Sequence, residues 1–209
     1  VGKWITSTYY MKELPAWVND FNNQNWVDKY YKTGWSLLYP ASTYIQSTAD
    51  EKSYEGTPFG DKFPYDLSKY IGKDYYKIAT TPMGNTLTAD FAKKAIENEK
   101  LGQGNVTDFL TVSFSSTDYI GHSFGPNSME AEDCYLRLDK DLGSFLKFLD
   151  SKVGKGQYTV FLSADHGGMQ VPEFMQENRL PGERVFISTL TKELNKELKE
   201  KYKSDSLIV

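Results

Sequence analysis

Histidine and cysteine are nearly absent from this 209-residue chain, which has two histidines, His122 and His166, and one cysteine, Cys134. A lone thiol excludes an internal disulfide and leaves the redox compartment undecided, so the expected role of Cys134 is packing. No apolar run approaches the roughly 20 residues that span a bilayer, and no signal peptide is visible. A basic excess is missing too. The net charge of −4 and pI near 5.3 give no electrostatic reason to expect a nucleic acid polymer or a membrane as partner. What is present is the composition of an ordinary globular protein, 39% hydrophobic and 25% charged. Its many Tyr and Phe residues favour strands and large buried contacts over disorder. The length allows one domain with a substantial core, or two small ones. Both ends, Val1 to Ile5 and Asp205 to Val209, read as strands cut off in mid-fold.

Along the chain, residues 3–10 (KWITSTYY) read as a strand. Residues 14–22 read as a helix, with Pro15 in its first turn and Trp17, Val18 and Phe21 on one face. Residues 23–80 are rich in Trp, Tyr, Gly, Pro and Lys without a long period. They are expected to form an irregular insertion over a sheet, either an ordered loop or a cap facing substrate. A helix is expected over 81–100, with Asn85 or Thr86 as its cap and Leu87, Phe91 and Ala95 at helical spacing. In 107–116, Leu110, Val112 and Phe114 alternate with polar residues as in a strand. Residues 127–153 read as a long helix, with Asn127 and Glu130 as a capping box and a stripe of Tyr135, Leu138, Leu142, Phe145 and Leu149. A second strand is expected at 158–163 (YTVFLS), a largely solvated helix through Leu190, Leu194, Leu198 and Tyr202, and a last strand at 206–209. This rhythm predicts an α/β fold with a largely parallel sheet and helices on both faces.

Ligands of such sheets gather outside the carboxyl ends of the strands, and both histidines stand there with an aspartate. Asp118 and His122 follow the first strand, and Asp165 and His166 follow the second. Asp and neutral His suit Zn²⁺ and similar ions. Gly121, Gly125 and Pro126 predict a turn rather than a helix around His122. Gly167 and Gly168 would give the adjacent Asp165 and His166 the backbone freedom to face one ion. Taken singly, each pair reads as a structural turn; jointly they favour a metal site. A histidine beside a carboxylate can also act as a general base. However, no Ser or Cys occupies a nucleophile elbow, Ser163 lacking its flanking glycines. Four ligands leave the centre half-built, since catalytic zinc takes about three protein ligands and a two-metal centre about six.

The stretches SSTDYIGHSFGPNS, YLRLDKDL and FLSADHGG, preceded by WITSTYYMKELPAWV and GNTLT, resemble the secreted bacterial zinc-dependent enzymes of the alkaline phosphatase superfamily. Nucleotide pyrophosphatase/phosphodiesterases are near relatives. The resemblance covers nearly the whole chain and is densest from Thr81 to Gly168. It implies an alkaline phosphatase-like core and two zinc ions, Asp118 and His122 helping to hold one, Asp165 and His166 the other. It also implies a two-metal in-line displacement through a covalent phosphoenzyme, on small phosphate esters, monoesters in preference to diesters.

The nucleophile, the phosphate-gripping Lys/Arg and the remaining ligands have no counterpart here, the nucleophile being expected upstream of Val1. The expectation is therefore a partial phosphatase domain over 1–209, with 23–80 as insertion, inactive or nearly so alone. Such a piece would expose sheet edges open to self-association. The resemblance places the parent in the periplasm or outside the cell, and Mn²⁺ or Mg²⁺ stays open beside zinc. Two alternatives remain: a phosphodiesterase or sulfatase-like parent, and a non-enzymatic α/β binding module whose Asp/His pairs are structural turns.

Overall fold

The computed structural model describes residues 2–55, 59–204 and 207–208. The chain divides into two compact units, Val1–Met169 and Gln170–Val209.

Among the described residues the first unit contains five α-helices. α1 (Ala16–Asn23) follows Pro15 and buries Val18, Phe21 and Asn22. Asn22 also fastens the start of the chain, accepting from the Trp4 N–H (2.8 Å) and donating to the Trp4 carbonyl (2.9 Å). α2 (Trp26–Thr33) lies inside the segment expected to be irregular and ends at Gly34, whose φ of 71° suits glycine. α3 (Pro82–Glu99) starts with Pro82 at its first position, where a missing N–H costs nothing, and Thr81 at the N-cap. The expected caps, Asn85 and Thr86, lie inside the helix instead. α4 (Ser116–Phe124) carries Asp118 and His122, so a helix stands where a turn was expected. Gly121 is tolerated within it, and Gly125 at φ 97° ends it. α5 (Met129–Leu149) is capped by Ser128, not Asn127: the Ser128 hydroxyl accepts from the Ala131 N–H (3.1 Å). A π-helical turn, Asp150–Gly154, extends it.

α5 packs against α3 and α4, and a 3-10 turn, Tyr75–Thr80, packs against both α3 and α4. The core beneath them joins Val27, Tyr31, Trp35, Tyr65 and Leu67 to Met83, Ile120, Phe124, Ala131 and Cys134. Half of this core therefore comes from residues 23–80. The expected α5 stripe holds in part: Leu149 is buried and Leu138, Leu142 and Phe145 are half-buried, but Tyr135 is 60% exposed, while Glu130, Asp133 and Cys134 are fully covered.

Among the described residues no sheet forms. The only bridge is an isolated antiparallel pair, Trp35 with Tyr65. Residues 3–10, 107–115 and 158–163 lack regular structure, and Phe109, Phe161 and Leu162 are exposed. A strand requires a second segment to take up its backbone N–H and C=O groups. Alternation within one segment cannot supply that, although Val112 and Phe114 remain half-buried between exposed Thr111 and Ser113.

Among the described residues the second unit has two α-helices. α6 (Pro172–Glu177) is held by a two-pronged pair in which Arg184 donates to both Glu173 oxygens at 2.6 Å. α7 (Ile187–Tyr202) leaves Leu190, Leu194 and Tyr202 exposed, as expected of a wet helix. Asn195 exchanges two hydrogen bonds with Ile208. Ser206 and Val209 of the expected last strand lie outside the described residues.

Candidate metal centre

The helical form of α4 decides how its two polar residues meet. At i and i+4, Asp118 and His122 share a face, and His122 Nε2 lies 3.4 Å from Asp118 Oδ1. The start of α4 is fixed from inside the protein. Buried Asn85 on α3 accepts from the Ser116 N–H (3.2 Å) and donates to Thr117 Oγ1 (3.0 Å). Gly84 permits this approach, because a Cβ there would stand 2.2 Å from Ser116 Oγ and 2.8 Å from the Ile78 carbonyl.

The second pair is brought to the same place. His166 Nε2 lies 3.7 Å from Asp118 Oδ1 and 3.6 Å from Asp165 Oδ2. Its backbone N–H donates to Asp165 Oδ1 (3.1 Å), while its Nδ1 faces the Gly167 carbonyl at 3.0 Å. The glycines act otherwise than expected. Neither Gly167 nor Gly168 has positive φ; Gly168 instead lies against Pro126, where a Cβ would meet Pro126 Cβ at 3.1 Å. The His166 loop thus sits close to the corner where α4 ends.

All four side chains are open to solvent, Asp165 most of all at 88%. The hydrogen bond to the Gly167 carbonyl, and then the charges of Asp165 and Asp118, raise the His166 pKa above its ordinary value.

As a donor set, two carboxylates and two imidazoles suit zinc chemically. Ligands about 2.1 Å from a tetrahedral ion stand about 3.4 Å from each other, close to the three spacings around Asp118 and His166. Yet among the described residues no three His, Cys, Asp or Glu side chains are arranged to hold a metal ion as they stand. The pairs fit; the shell is incomplete.

Residues 4–199 match the family described as type I phosphodiesterase / nucleotide pyrophosphatase. The chain belongs to this family. Its relatives include alkaline phosphatase PhoV of Synechococcus elongatus, 53% identical over 91% of this chain and 35% of that protein. Alkaline phosphatase PafA of Elizabethkingia meningoseptica is 50% identical over 99% of this chain and 38% of its own length. A Myroides odoratus protein named calcium-transporting ATPase is 54% identical over 96% of this chain and 38% of its own length. The crystal structure of wild-type PafA superposes with a TM-score of 0.88 at 48% identity, covering 99% of this chain and 40% of that one. The chain thus spans little more than a third of the length of these relatives. The match to PafA gives the family member an α/β, alkaline phosphatase-like fold. No described helix is long and apolar enough to cross a membrane.

Proposed function

We propose that the chain carries part of the centre of a zinc-dependent phosphatase acting on small phosphate esters, with Asp118, His122, Asp165 and His166 as metal ligands. One observation carries the reading: Asp118 faces both His122 and His166 at 3.4 and 3.7 Å in a chain about half identical to two alkaline phosphatases.

Each residue then has a task. Asp118 supplies negative charge between the two imidazoles, and α4 holds it in register with His122. With its proton on Nδ1, directed to the Gly167 carbonyl, His166 keeps its Nε2 lone pair available for an ion. Because its pKa is raised, a proton competes with the ion for this imidazole more than for an ordinary histidine. Bound zinc would neutralise phosphoryl charge and activate an oxygen nucleophile. The segments 107–116 and 158–163 would serve as neighbouring strands of a largely parallel sheet with helices on both faces. Residues 23–80 would serve as the insertion above it, unpaired edges would favour self-association, and the location would be periplasmic or extracellular.

The test is a calorimetric zinc titration of the chelator-stripped chain beside His122→Ala and His166→Ala. Weaker binding in both supports the assignment, and binding untouched by either ends it. The family's description also names phosphodiesterases, a second reading that the alkaline phosphatase relatives do not favour. Comparing p-nitrophenyl phosphate with bis-p-nitrophenyl phosphate, in a version of full relative length, separates the two: faster turnover of the monoester supports a phosphatase.

A further inference from the structure

A cavity of about 370 Å³ opens among residues 2–4, α1, α2, the Tyr75–Thr80 turn and α3, all within the first unit. None of the four candidate metal ligands lines it. Its wall is largely aromatic and aliphatic, with Trp4, Phe21, Trp26, Tyr75, Ile78 and Leu87 among the larger side chains. Small-molecule sites run from about 300 to 1,000 Å³, and an apolar cavity of about 150 Å³ already holds benzene. The space therefore suits a compact ligand of one or two rings.

The wall is braced from behind. Three of its rings rest on rings that do not line the cavity. Trp4 stacks on Phe91 with centroids 4.0 Å apart and planes 13° apart. Tyr75 stacks on Tyr31 (6.0 Å, 13°), and Trp26 on Tyr30 (6.2 Å, 28°). Asn22 holds the Trp4 main chain through two hydrogen bonds. A wall so supported is pre-formed, as ligand sites mostly are.

Its side-chain polar groups are one-sided. The Tyr75 hydroxyl accepts from the Gly72 N–H (3.2 Å) and the Tyr76 hydroxyl donates to Tyr119 (2.8 Å), so both phenols are engaged elsewhere. What remains are donors. The Trp4 and Trp26 Nε1 groups are buried without a hydrogen-bond partner. Lys3 lines the cavity and is exposed, and among the described residues its ammonium has no carboxylate partner. No Asp or Glu lines the cavity. An apolar wall with unmet donors and one free positive charge complements a ligand that brings acceptors and a negative charge.

We propose that this cavity binds a small aromatic carboxylate, its rings against Trp4, Trp26 and Tyr75 and its carboxylate at Lys3. The site is separate from the histidine pairs and needs no metal ion.

The test is a calorimetric titration of the chelator-stripped chain with 1-naphthoate, beside the neutral 1-naphthalenemethanol. Saturable naphthoate binding with a Kd below about 1 mM is expected. Ala79 lines the cavity, so Ala79→Phe fills it and should weaken both compounds about tenfold or more. Should Ala79→Phe fail to fold, the smaller Ala79→Leu takes its place. Lys3→Met keeps the aliphatic stem and removes the charge. It should weaken naphthoate about two- to fivefold, the range of an exposed ion pair, and leave the alcohol unchanged. No binding to the folded wild type overturns the proposal. So does unchanged affinity in a folded cavity-filled variant, which would place the probe on another apolar surface. Equal loss of both compounds in Lys3→Met overturns the carboxylate assignment.

Discussion

Trp35 and Asp133, 98 residues apart, meet in the interior: the indole Nε1–H donates to Asp133 Oδ2 at 2.7 Å. The same carboxylate accepts from the Leu38 N–H (2.8 Å), the Tyr44 hydroxyl (2.5 Å) and Arg137 Nε (2.7 Å). One fully buried charge thereby fastens residues 35–44 to α5.

Asp133→Ala leaves four donors without their acceptor, Arg137 among them. The expected loss is about 3–5 kcal/mol, the range for breaking a buried charged pair. Urea denaturation measures it, and tryptophan emission should shift to the red as Trp35 gains water. Loss under about 1 kcal/mol would mean that the network can rebuild around water.

Asn85→Ala removes the hydrogen bonds that set the start of α4. The Ser116 N–H is left buried, at an expected cost of about 1–3 kcal/mol. Zinc affinity should fall along with stability, although Asn85 touches none of the four candidate ligands. An affinity equal to wild type would show that α4 is positioned by its apolar face alone.

Gly84→Ala forces a Cβ to within 2.2 Å of Ser116 Oγ and 2.8 Å of the Ile78 carbonyl. An overpacking cost of about 1–3 kcal/mol is expected by thermal denaturation. Ser116→Ala in the same chain should recover only part of it, because the Ile78 clash is with backbone. Full recovery would place the strain in the hydroxyl alone.

Asp141 on α5 is raised above its ordinary value by burial, opposed by the Thr86 hydroxyl that donates to it at 2.7 Å and aided by Asp90. A carboxyl raised on folding stabilises the fold fully below its unfolded pKa, near 3.9. That contribution is lost as pH climbs through the folded value. Asp141→Asn should therefore melt above wild type at pH 7, with the gap closing below about pH 4. A gap that does not change with pH would refute the linkage.

Much of the candidate centre was legible because scarcity marked it. Two histidines, each beside an aspartate, left few choices, and the structure brings all four residues together. The helix under Asp118 was not legible, since Gly121 and Gly125 look alike in sequence. One is tolerated inside the helix and the other ends it with positive φ. The α2 helix hid behind Trp26, Tyr30 and Tyr31, aromatic residues that also suit strands. Glu130 read as half of a capping box, and nothing in the sequence singled out Asp133. Their burial depends on Trp35, Tyr44 and Tyr65, which no local pattern links to α5. Any pairing of 107–116 with 158–163 would be equally non-local, and alternation states only a readiness to pair.

The burial of Cys134 turns the chain's only thiol into a gauge. The side chain is fully covered at the junction of α3, α4 and α5, touched by Asn85 Nδ2 at 3.7 Å, and burial pushes its pKa up to about 12. A disulfide reagent can attack only after those helices part. The labelling rate of Cys134 in native buffer therefore reports how often the platform beneath Asp118 opens. The four candidate ligands need not be altered to measure it, and any ion that steadies α4 should slow the clock.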